Sequence, residues 1–158
     1  MASLIEELIT TLQKQQVHFN EMLILSEEKA NVIAKNNIET LQQITAAETA
    51  IIGKNQRLDQ KREEIVKNIG IVLNEDHTKL TITKISQIIK IDAESKQLIE
   101  IRDKLKETLD ALKQQNDINA TLIQGSLDYI DFSVNLMREG GLDPQNLTPA
   151  KNLFDVKQ

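Results

Sequence analysis

His18 and His77 are the side chains of this sequence best suited to acid–base or metal chemistry. A di-iron helical bundle needs paired Glu-x-x-His motifs, and neither histidine has a glutamate three residues before it. Both are expected at the surface or its boundary. The chain has no cysteine, which removes disulfides, thiol nucleophiles and thiolate metal sites. No Ser–His–acid order sits in a nucleophile-elbow context. The glycines, Gly53, Gly70, Gly125, Gly140 and Gly141, form no phosphate-cradling loop. No catalytic residue, metal or cofactor is therefore expected. What remains is the hydrogen-bonding chemistry of amides. Asn116 and Asn119 stand out within QQNDINATLIQG (114–125), because they interrupt an otherwise apolar helical pattern.

The elements that must position them are helices. Hydrophobic residues make up 40% of the 158, enough for the core of one domain, and aromatics only 3%, so that core must be aliphatic. Both prolines, Pro144 and Pro149, lie near the C-terminus, which leaves every earlier position compatible with a helix interior. The net charge of −5 comes from mixed acids and bases with no basic run, against nucleic-acid binding. The start, MASLIEELITTL, has acids where a signal peptide needs bases. No apolar run is long enough to span a bilayer, so no membrane insertion and a cytoplasmic location are expected.

The expected fold class is all-α: an elongated antiparallel helical bundle or coiled coil of long helices with a short C-terminal tail. Ile5, Leu8, Ile9, Leu12, Phe19, Met22, Leu23, Ala30 and Ile33 recur at threes and fours, predicting a first helix to about residue 35. Asn36-Asn37 interrupts it, with Asn37 as N-cap of a second helix to Asn68. One row of that helix holds Ile44, Ile51, Leu58 and Ile65. Its companion, Leu41, Glu48, Asn55, Arg62 and Ile69, is polar in the middle. The tight turn predicts an antiparallel hairpin over 2–68, with Gly70 as C-cap. Gly53 interrupts the second helix, either to let a neighbour approach closely or as a tolerated glycine that costs ~1 kcal/mol against alanine. A short helix near 84–90, capped by Thr83, and a long helix near 92–138 follow, the latter stopped by Gly140-Gly141.

In the long helix one row runs Leu98, Leu105, Leu112, Asn119, Ser126 and Ser133. The other runs Arg102, Leu109, Asn116, Ile123 and Ile130. Both asparagines thus fall on seam positions facing a partner helix. Past Ile123 the apolar residues are Leu127, Ile130, Val134 and Met137, a stutter that locally unwinds a supercoil. Two readings stand. Seam asparagines set register at a cost in stability. Alternatively, a polar-interrupted seam admits a further helix, with Asn116, Asn119, Leu122, Ile123, Leu127, Tyr129, Ile130 and Val134 as its binding face. Tyr129 and Phe132 are expected either to pack the bundle end or to anchor a partner. The expected division is a bundle over 1–139 and a tail over 140–158. Asp143-Pro144 should turn the tail and Thr148-Pro149 should start a helix over 149–156. Leu153 and Phe154 would share its docking face.

The order Asn116-x-x-Asn119-x-x-Leu122-Ile123 late in a long helix resembles the FlgN family of flagellar secretion chaperones. So do Leu41-Gln42-Gln43-Ile44-Thr45 opening the second helix, Arg62 two turns before a glycine, and the Glu28-to-Asn37 stretch. Glu48 stands where the family often has lysine, and the tail has Phe154 without the family's Tyr-Gly element. The resemblance covers about 4–137. It implies a non-enzymatic helical bundle that binds the C-terminal helices of hook-filament junction proteins in the cytoplasm. It also implies that these clients stay soluble and reach the type III export gate, so gate components are further partners. A structural coiled-coil adaptor or self-assembling scaffold is the alternative. Monomer and homodimer are both compatible with the pattern.

Overall fold

The structure, a computed structural model, describes residues 1–140. It contains α1 (Ala2–Ala34), α2 (Ile38–Leu73), a 3-10 turn (His77–Lys79), α3 (Ile82–Ile88) and α4 (Asp92–Gly140). No strand occurs among the described residues. The chain is an all-α bundle of long helices, as its periodicity predicts. The expected tail elements, including the Asp143-Pro144 turn, the 149–156 helix, Leu153 and Phe154, lie outside the described residues.

The hairpin forms at the two asparagines. Asn36 takes a left-handed φ of 54°, which asparagine tolerates better than most residues. The Asn37 side chain accepts from the Thr40 amide at 3.2 Å, capping α2. The end of α2 differs from expectation. The helix continues through Gly70 to Leu73, and Asn74, with φ 55°, supplies the left-handed residue. The Glu75 amide donates to the Gly70 carbonyl and the Asn74 amide to that of Ile71, a Schellman closure. Gly70 has another reason to be glycine. A Cβ there would lie 2.9 Å from the Glu75 carbonyl oxygen and 3.1 Å from the His77 Cβ. The returning chain presses on this point, so the residue serves contact rather than capping.

Beyond it, Asp76 caps the 3-10 turn. The Thr78 hydroxyl, then its amide, hydrogen-bond the Asp76 carboxylate and hold it below its ordinary pKa. The short helix begins two residues earlier than its expected start. Thr81, not Thr83, accepts from the Lys84 amide at 3.1 Å. Thr83 instead accepts from Arg102 of α4 at 2.7 Å.

α1 is the central helix, packed on α2 and on α4, while α2 and α4 share no comparable interface among the described residues. The direction of each pairing follows from its hydrogen bonds. Gln15 meets Asp59 and Lys29 meets Glu48, so α1 and α2 are antiparallel. Gln16 meets Thr108 and Ser26 meets Asn119, so α4 runs parallel to α1. The principal core lies near the start of α1. Ile5, Leu8 and Leu12 pack there with Ile65, Ile69, Ile85 and Leu98, all almost wholly buried. A second, smaller cluster higher up joins one residue from each long helix: Met22, Ile51 and Leu112.

Gly53 does not admit a close neighbour. A Cβ built there meets nothing within 4 Å. Alanine at this helix-interior position should therefore stabilise the fold by about 1 kcal/mol through helix propensity. Urea unfolding of Gly53→Ala checks this: a raised midpoint with unchanged slope is expected.

Candidate helix-binding groove

Between the two apolar clusters, and above them, α1 meets its neighbours through polar groups. Gln15, fully buried, donates to Asp59 Oδ1 at 2.7 Å and accepts from Arg62 Nη1 at 3.2 Å. Lys29 and Glu48 pair at 3.0 Å. Such contacts fix register more than they add stability, because the amides and charges exchange water for protein partners at little net gain. One group is worse off. Asn55 is 6% exposed and its Oδ1 has no hydrogen-bond partner. Asn55→Leu removes an unsatisfied amide at similar volume and should stabilise the fold by about 1–3 kcal/mol. An unchanged or lowered melting temperature would contradict that reading.

The two asparagines converge on one serine. Asn119 is 4% exposed and donates from Nδ2 to the Ser26 carbonyl at 2.8 Å and to its Oγ at 3.1 Å. The Ser26 hydroxyl donates to Asn116 Oδ1 at 2.9 Å. Asn119 is therefore inside the α1–α4 seam, whereas Asn116 is exposed at its rim.

The seam itself is rotated from the expected one. Leu98, Leu105, Leu112 and Asn119 are buried, as the sequence predicts. Their companions, however, are Ile101, Thr108, Gln115 and Leu122, each buried or half-buried. The row expected there, Leu109, Asn116, Ile123 and Ile130, instead faces solvent. Thr108 occupies its buried position because its hydroxyl accepts from Gln16 at 2.8 Å.

This rotation leaves an apolar stripe without a partner among the described residues. Ile123, Leu127, Ile130, Val134 and Met137 are spaced by alternating fours and threes and are 38–53% exposed. That spacing suits packing against another helix. Chain length explains the vacancy. Eight residues past Ser26, α1 ends at Ala34, and the same advance from Asn119 along the parallel α4 reaches Leu127. The rest of α4, to Gly140, projects about 20 Å further.

Where the stripe begins, it borders the hairpin tip. Val32 and Ile33 of α1, Ile38 and Leu41 of α2, and Ile123 and Leu127 of α4 line a cavity of about 150 Å³. Ile38, beside the turn, is among the most exposed aliphatics. Of the expected binding residues, Ile123, Leu127, Ile130 and Val134 thus share one open face. Leu122 and Tyr129 are half-buried beside it. Met137 and the tip residues Val32, Ile38 and Leu41 join the face although the sequence did not single them out for it. Met137 continues its seven-residue row, but the tip residues are brought there only by folding.

Among the described residues no group of three His, Asp or Glu is placed to hold a metal. No helix among the described residues is long and apolar enough to cross a membrane. His18 is half-buried, with Nδ1 3.8 Å from a Glu21 carboxylate oxygen.

The described residues thus form a three-helix bundle with an open heptad face next to an apolar cavity. The family model described as FlgN protein matches residues 1–152, and the chain belongs to the FlgN family. No curated protein and no solved structure matches it. The family is one of chaperones rather than enzymes, and membership implies a role in flagellar export.

Proposed function

We propose that this chain binds the C-terminal helices of hook-filament junction proteins in the cytoplasm, keeps them soluble and hands them to the type III export gate. The observation that carries this reading is the unpartnered stripe from Ile123 to Met137, continuous with the tip cavity. A client helix laid along it would restore the missing side of the seam, with Val32, Ile38 and Leu41 closing one end. Asn116 stands at the rim, where its amide is placed to bond a client polar group, while Asn119 sets the register of α4 on α1.

Magnitudes favour a reversible complex. Five aliphatic side chains, each already about half covered, would contribute roughly 1 kcal/mol apiece on full burial. That sum alone falls short of the ~8 kcal/mol of micromolar binding, before the cost of association. The tip cavity and polar rim must supply the remainder, and a client held this way can be released at the gate.

Mixing the purified chain with a hook-filament junction protein should give one complex by size-exclusion chromatography with light scattering. Removing the client's C-terminal helical segment should abolish it. Equal complex formation without that segment would refute the proposed mode. If the free chain instead forms a saturated oligomer that no client alters, the scaffold alternative holds.

A further inference from the structure

We infer that the helix this groove takes carries lysine or arginine beside its apolar seam, because the net negative charge of the chain is gathered around the groove. The inference rests on the groove reading above and names the chemistry of the occupant. Acids and bases divide unevenly along the bundle. The groove end, residues 27–48 and 114–140, holds eight acids against three bases. The other described residues, 1–26 and 49–113, hold fourteen of each. The two acids and two bases of 141–158 cancel, so the whole formal charge of −5 belongs to the groove end. Folding brings its two segments together, through the contact of Ser26 with Asn119.

The charge lies beside the apolar side chains. Between Lys113 and Arg138, α4 has no basic residue but carries Asp117, Asp128 and Asp131. Asp131 follows Ile130 and is exposed. One residue is about 100° round the helix, so this carboxylate flanks the stripe. Across the tip cavity, Glu39 follows Ile38 in the same way and is also exposed. Of the three bases, Lys29 is paired with Glu48 at 3.0 Å. Lys35 and Arg138 then stand against seven acids. Carboxylates held together in this way repel one another in the free chain, and a cationic helix docked among them relieves the repulsion. A second copy of the chain fits less well. Self-pairing across the stripe would bring the same acids to both sides of the contact. Each exposed acid–base pair is weak, but three or four acting together give a preference of about tenfold at low salt.

Two synthetic amphipathic peptides test this. Each has about 18 residues, long enough to cover the stripe, and the same leucine seam. One carries lysine and the other glutamate at the positions flanking the seam. The full chain is observed through isotopically labelled isoleucine methyls. At about 0.05 M salt the lysine peptide should shift the Ile38, Ile123 and Ile130 methyls and leave Ile71, at the far end of α2, unmoved. It should bind about tenfold more tightly than the glutamate peptide, and the difference should close at about 1 M salt, where screening is short-ranged. Glu39→Gln/Asp131→Asn should narrow the preference, and Glu39→Lys/Asp131→Lys should narrow it further. All four substitutions replace exposed side chains, and thermal melts establish that both variants are folded. Both peptides reaching Ile123 and Ile130 with equal affinity would overturn the inference and leave the groove reading standing. A tighter glutamate peptide, or a preference unchanged in both variants, would overturn it likewise. Neither peptide reaching those methyls, or the lysine peptide shifting Ile71 as much as Ile123, would overturn both. No junction protein enters the measurement, so failure of that client to bind would leave its result standing.

Discussion

Leu127→Asp/Ile130→Asp is expected to weaken binding of a hook-filament junction protein by about 100-fold or more, with a loss of fold stability of only about 1–2 kcal/mol. Both residues lie at the centre of the free stripe and are about half exposed. In the complex each would lose its apolar contact and bury a carboxylate with no basic partner supplied for it. A few kcal/mol of lost binding is the minimum such burial implies, because an unpaired charge is dehydrated without compensation. In the free chain both carboxylates stay in water. The lower helix propensity of aspartate costs a few tenths of a kcal/mol per site, and Leu127 gives up its partial contact with the hairpin tip, about 1 kcal/mol more. Isothermal titration and thermal melts separate the two effects. A loss of binding accompanied by unfolding would show that the stripe is structural instead.

Leu98→Ala should do the opposite. Leu98 is 0% exposed and packs in the principal cluster with residues of α1, α2 and α3. Truncating a fully buried leucine removes its transfer energy and leaves a cavity, together about 2–5 kcal/mol. That is a large share of the 5–15 kcal/mol typical of whole domains, so a melting temperature lower by many degrees is expected. The site is about 40 Å along α4 from Leu127. Client affinity, measured well below the lowered melting temperature, should change little. Together the two variants separate a folding end of the molecule from a binding end.

Much of this arrangement was legible in the residues. Both rows of α2, including the polar Glu48 and Asn55, are the ones that pack inward. The Asn36-Asn37 turn and the Asn37 cap form as read, since their signals are local. The misread features depend on distant partners. Thr81 and Thr83 could each cap α3, and the choice follows from Arg102 engaging Thr83. Gly70 looked like a helix stop, yet its role depends on Glu75 and His77 returning against it. Apolar periodicity placed Leu109, not Thr108, in the α4 seam, because hydropathy does not register a threonine bonded to Gln16. The parallel course of α4 on α1 was hidden for a similar reason. The connection through the 3-10 turn and α3 is long enough to permit either direction. The binding face was therefore visible as a row of aliphatics on α4 but not as a groove, whose other wall is the hairpin tip.

The most direct measurement is hydrogen–deuterium exchange of the chain alone and in complex with a hook-filament junction protein. Bound client should slow exchange in residues 123–137 of α4 and around the hairpin tip, 32–41. Residues 65–73 and 92–105, at the folding end, should be unchanged. Protection confined to the folding end, or a complex that leaves 123–137 and the tip as exchangeable as before, would contradict the placement of the client on the free stripe.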